Sequence, residues 1–330
     1  MVEGGSALAD KAAGSVTPVG SKSTPTGMAA RSLRGSTENR PVERIVRGLL
    51  AACGLLSIAT TIAIVAVLIG ETIGFFTEVS PVDFFTGTKW TPLFVPQNFG
   101  VLPLVVGTLQ IAIFAMLVSV PIGLASAIYL SMYAPARVRA VVKPALEVLA
   151  GIPTVVYGYF ALTFITPTVI QGLFDRAPVF NALSAGIAVG IMTIPMVSSL
   201  SEDAIQAVPR SLRDGALALG ATKFEVSTRV MVPAALSGIM ASIILAFSRA
   251  IGETMIVVLA AGATPKFTFD PLQSIQTMTG FIVQISLGDT PRGTIEYKTL
   301  FAVGFTLFLM TLLMNILSAW VTRRFREVYE

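Results

Sequence analysis

Residues 235–261 read ALSGIMASIILAFSRAIGETMIVVLAA, and the reading of this run decides the fold. It is long enough to cross the hydrocarbon core of a bilayer, which takes about 20 apolar residues. Yet Arg249 and Glu253 stand inside it. The rest of the chain answers the first question before the second. Of 330 residues, 54% are hydrophobic and 13% charged, where a soluble domain carries about 25% charged residues. The chain is expected to be an all-α integral membrane protein. Six apolar segments stand out, with soft edges, at 48–75, 104–132, 146–170, 181–200, 235–261 and 298–322.

Most of the 23 Lys and Arg fall on one side of that layout. With the N-terminus inside, the inner regions carry the basic tail (Lys11 to Arg47), Arg137, Arg139, Lys143, Arg210, Arg213, Lys223, Arg229 and the cluster at 323–326; Lys89, Arg176, Lys266, Arg292 and Lys298 lie outside. Short cytoplasmic loops concentrate Lys and Arg, so both termini of this multi-pass chain are expected in the cytoplasm. Residues 1–44, rich in Ser, Gly, Thr, Ala and Pro, are expected as a disordered tail, and 45–330 as a six-helix domain. The first apolar run exceeds the 7–15 residues of a cleavable signal core and is expected to stay as a helix.

The chain has no His and one Cys, Cys53. That excludes an intrachain disulfide and Ser-His-Asp or Cys-His catalysis, and leaves few ligands for zinc, copper or iron. Cys53 reads as a small apolar residue. Gly186 and Gly190 form a small-xxx-small pair suited to close helix packing. Gly151, Pro153, Gly158 and Pro167 interrupt the third segment, as broken helices beside a pathway do. The loops at about 76–103, with Phe84, Phe85, Trp90 and Phe94, and 262–297 are expected near the interface, either capping the bundle or meeting an extracellular partner.

The longest inner loop, about 201–235, is punctuated as helix. Pro209 suits a first helical position, Leu212, Ala216 and Leu219 share a face, and Gly220 is a C-terminal stop. Thr222 and Glu225 fit a capping box. Such a projecting amphipathic helix either lies on the leaflet or docks a cytoplasmic protein.

Here the sequence resembles the permease subunits of bacterial binding-protein-dependent ABC importers. Their EAA-x3-G-x9-I-x-L-P loop has counterparts in Asp214, Gly215 and Ala216, then Gly220, then Val230, Val232 and Pro233, with Glu replaced by Asp, Ala by Gly, and Ile and Leu by Val. AGIPTVVYGYF at 150–160, IPMVSSLSEDAIQAVP at 194–209, ALGATKFE at 218–225 and FSRAIGETM at 247–255 are most similar to the PstC-type subunit of phosphate importers. The resemblance implies a cytoplasmic coupling helix, carried by Leu212, Asp214, Gly215, Ala216, Leu219 and Gly220, seated in an ATPase subunit. It also implies a transport role for Arg249 and Glu253. The implied partners are a second, PstA-type permease, a dimeric PstB-type ATPase, an extracytoplasmic PstS-type phosphate-binding protein, the lipid bilayer and inorganic phosphate, with no nucleic acid.

Arg249 lies 16 residues beyond Pro233, about 24 Å into the membrane at 1.5 Å per residue. A lone arginine there costs roughly 2.5 to more than 10 kcal/mol. Glu253, one turn on, is expected to pair with it, so that an arriving oxyanion competes for the guanidinium as at a reversible gate. No GxxxxGK[ST] loop occurs, so ATP and Mg are expected on the separate ATPase and no cofactor on this chain, itself not an enzyme. The alternatives are a permease for molybdate or sulfate and a proton-coupled secondary anion transporter; a membrane-embedded enzyme lacks a metal or nucleophile constellation to support it.

Overall fold

The computed structural model describes residues 40–324. Among them the chain is helical, with one isolated β-bridge between Trp90 and Phe99. It divides into two units at Thr61 and Ile62. The first is the leading part of α1 (Arg40–Phe76), where Arg47 meets Glu43 at 3.6 Å one turn apart and Cys53 is exposed. Residues 1–39 of the expected tail lie outside the described residues, and Arg40–Glu43 are helical.

From Ile62 onward the order is α2 (Pro81–Thr86), α3 (Leu102–Ile128) with a π-helical extension to Tyr133, α4 (Ala136–Gly151), α5 (Thr154–Phe160), a π-helical stretch Ala161–Ile170, α6 (Gln171–Leu173) and α7 (Ala182–Gln206). Then come α8 (Arg210–Ala218), α9 (Lys223–Glu225), the π-helical Val226–Met231, α10 (Val232–Ala234), α11 (Leu236–Ile251), α12 (Met255–Ala260), α13 (Met278–Leu287) and α14 (Ile295–Arg324). Among the described residues, five helical stretches are long and apolar enough to span a membrane; the pair Lys223–Ala234 and Leu236–Ile251, bent by 72°, reaches that length and hydropathy when its two helices are taken together.

Two expected segments are altered. The third, 146–170, is not continuous: α4 ends at Gly151, Ile152 is extended, and Pro153 starts α5. A residue preceding proline is pushed out of the helical region, which places the break here. The span is therefore Thr154–Leu173, and α4 is a separate helix none of whose residues is buried. The fifth, 235–261, breaks at Gly252, Glu253 and Thr254 between α11 and α12.

The most extensive helix packing is α3 on α7, and the glycines explain how the two come close. A Cβ at Gly186 would lie 2.5 Å from Cβ of Phe114, and one at Gly190 would lie 2.7 Å from Cβ of Val118. With little hydrophobic force between helices in lipid, association depends on such close van der Waals contact, and the small-xxx-small pair does what the sequence led us to expect. Ser201 and Ser242 share a buried hydrogen bond of 2.8 Å between α7 and α11. This satisfies two hydroxyls where no water competes.

One expectation about the 76–103 loop changes. Phe84 and Trp90 are not interfacial rings but core, 0% and 1% exposed. They join Phe75 and Phe281, with centroids of Trp90 and Phe281 4.9 Å apart edge to face. Burying such rings contributes more than leaving them half wet, and α2 turns them inward. Phe85 and Phe94 remain exposed.

Candidate functional site

Helix α11 starts at Leu236, so Arg249 lies 13 residues along it, about 20 Å. It sits in the last turn before Gly252, whose φ of −84° and ψ of 0° close the helix. The chain then carries Glu253 and Thr254 outside regular helix and resumes as α12.

That break removes the expected Arg249–Glu253 ion pair. Among the described residues no ion pair includes either side chain. Glu253 is buried, and its Oε1 accepts from the backbone N–H of Met255 at 3.1 Å and Ile256 at 3.4 Å. Its backbone carbonyl accepts from the Thr279 hydroxyl at 2.7 Å. The first amides of a helix lack internal partners, and a carboxylate there is well placed to take them. The i, i+4 rule needs continuous helix, and Gly252 interrupts it.

Arg249 is exposed on the chain's surface and its Nη2 donates to the Met192 sulfur at 3.9 Å. It opens onto a cavity of about 540 Å³ between α4, α7 and α11. Lys143 and Glu147 line it from α4, and Met192, Ser199 and Glu202 from α7. The volume falls in the range of small-ligand sites. Sequence reasoning missed Lys143, Glu147 and Glu202 as site residues. One signal was there, since Lys143 precedes Glu147 by one helical turn, but Glu202 stands beside Asp203 in the polar stretch SSLSED at 198–203 and does not stand out.

At the inner loop, α8 runs Arg210–Ala218 with Pro209 as its N-cap, one position earlier than expected. Gly220 has φ +85°, left-handed backbone that suits glycine, and its amide bonds the Leu217 carbonyl at 3.0 Å. The capping box is present: Thr222 Oγ1 accepts from the Glu225 amide, and the Glu225 carboxylate accepts from the Thr222 amide. The supposed apolar face divides. Ala216 packs on a cluster with Ile205, Val226 and Met231, while Leu212, Leu217 and Leu219 are exposed, Leu219 at 91%. Asp214 and Gly215 are exposed as well, and a Cβ at Gly215 would meet nothing.

Residues 119–327, covering α3's second half through α14, match the family model described as binding-protein-dependent transport system inner membrane component. The chain belongs to that family. It is an ABC transporter permease, a multi-pass inner-membrane subunit. The permease is 35% identical over 297 residues to "Probable ABC transporter permease protein YqgH" of Bacillus subtilis, spanning 88% of this chain and 95% of that one. It is 32% identical over 260 residues to phosphate transport system permease protein PstC of Xylella fastidiosa, 73% and 78% of the two chains. To PstC of Haemophilus influenzae it is 30% identical over 296 residues, 83% and 91%. Among solved structures, a bacterial alginate ABC transporter aligns with TM-score 0.59 at 18% identity, over 86% of this permease and 96% of that chain. The MetNI methionine ABC transporter aligns at 0.55 and 17%, over 69% and 96%. Those two likenesses concern the fold alone.

Proposed function

We propose that this permease is the PstC-type membrane subunit of an ATP-driven inorganic phosphate importer, and that Arg249 binds the anion in transit. The observation that carries the reading is a guanidinium along α11, without a carboxylate partner among the described residues, opening onto a cavity. A phosphate leaving water needs donors to replace its hydration, and guanidinium offers a planar, often bidentate set. The resemblance to PstC proteins supports phosphate over molybdate or sulfate. Glu253 enters the proposal as the group that holds the break beside Arg249, in place of the exchanging counterion.

The remaining parts follow the family. A second, PstA-type permease completes the pathway, a PstS-type binding protein delivers phosphate from outside, and a dimeric PstB-type ATPase holds ATP and Mg. Leu212, Asp214, Gly215, Ala216, Leu219 and Gly220 form the coupling helix that seats in this ATPase, with both termini on the same cytoplasmic side. The permease itself makes and breaks no bond.

The test is uptake of labelled phosphate by vesicles of the complete transporter. Arg249→Gln is expected to lower it about tenfold or more, the worth of a hydrogen-bonded charge contact, while the complex still assembles. Normal uptake, or loss of assembly, removes Arg249 from the pathway.

A further inference from the structure

The inner end of the cavity holds a cluster that Arg249 does not explain. Glu202 is 1% exposed, a carboxylate inside a transmembrane helix. Its Oε1 accepts a hydrogen bond from Gln206 Nε2 at 2.7 Å and lies 3.6 Å from Arg139 Nε. Its Oε2 lies 3.6 Å from Lys143 Nζ and accepts no hydrogen bond from the described residues. Lys143 also lies 3.4 Å from Asp203 and keeps 34% of its side chain exposed. A buried carboxylate is costly unless paired and hydrogen-bonded, and this one is left half satisfied. Burial works against the Lys143 charge, but Glu202 and Asp203 outweigh it and hold the ammonium above its ordinary pKa. Lys143 is therefore charged at any physiological pH.

We propose that Lys143 is a second, inner binding position for the transported oxyanion, with Glu202 as the positioning carboxylate to which the lysine returns when the position is empty. This rests on the assignment of Arg249 to the phosphate pathway. Lys143 and Arg249 line one cavity. Met192, which touches Arg249, and Glu202, which holds Lys143, are ten residues apart on α7, about 15 Å toward its inner end. Lysine is a point charge on a flexible stem, able to leave a loose 3.6 Å contact and follow an ion. Two moderate positions in series let an anion move on where a single tight one would trap it.

The experiment compares Lys143→Gln, Lys143→Arg and Arg249→Gln in vesicles of the complete transporter, reading labelled phosphate uptake beside the yield of assembled complex. Lys143→Gln should lower uptake about tenfold with assembly intact, and Lys143→Arg should recover most of it. Uptake by Lys143→Gln equal to wild type overturns the proposal. So does equal damage from Lys143→Arg, or failure of Lys143→Gln alone to assemble, since either makes the lysine a packing clip. If Arg249→Gln is blocked while Lys143→Gln transports normally, only the inner position falls. If Arg249→Gln transports normally, the pathway assignment beneath it falls.

Discussion

At the residue scale, Arg249 and Glu253 show how one glycine redirects a charge. Read as continuous helix, residues 249 and 253 face each other and neutralise; with Gly252 ending α11, the carboxylate turns to the amides of Met255 and Ile256 and the guanidinium stays open to the cavity. The two accounts part in a variant that removes charge but keeps shape. A Gln oxygen still accepts from backbone N–H, so Glu253→Gln should leave uptake and the thermal stability of the complex near wild type. Glu253→Ala should cost about 1 kcal/mol, the usual worth of a cap. Differential scanning of both variants, with uptake in parallel, checks this. A large uptake defect in Glu253→Gln at unchanged stability would restore the exchanging pair.

At the scale of elements, α8 stands mostly exposed along its length, as the proposed docking of the ATPase requires. It contributes no buried residue, Leu219 is 91% exposed, and space stands open above Gly215. Gly215→Leu should therefore leave the permease folded and in the membrane yet weaken its hold on the ATPase by an order of magnitude, as overfilling a packed contact by about 1–3 kcal/mol does. Co-purification of the ATPase measures this, and full retention would mean α8 is not the docking surface. Gly215 was legible in the sequence because its surroundings are local: Gly220 at a left-handed stop and Thr222 with Glu225 three residues on are rules about neighbours. The breaks at Ile152 and Gly252 were less so. Pro153 marked the first, but hydropathy ran on past it and masked the boundary. Gly252 alone is tolerated within helices, and it is Glu253 and Thr279 that hold the break, a contact between residues 26 positions apart. Glu202, Lys143 and Arg139 escaped notice for the same reason, since α4 and α7 meet only in three dimensions.

At the scale of the whole molecule, apolar segments and glycine-spaced packing led directly to the membrane fold, and the family match agrees with them. The function depends on how the parts combine: a cavity between α4, α7 and α11 that Lys143 and Arg249 line beside Glu147 and Glu202, and an exposed helix where an ATPase would act on it. The most direct measurement is labelled phosphate accumulation in vesicles of the purified complex, with ATP and a proton gradient supplied separately and excess sulfate or molybdate as competitors. The account predicts accumulation that requires ATP, ignores the gradient and resists both competitors. Accumulation driven by the gradient without ATP, or uptake of molybdate or sulfate in place of phosphate, would contradict it.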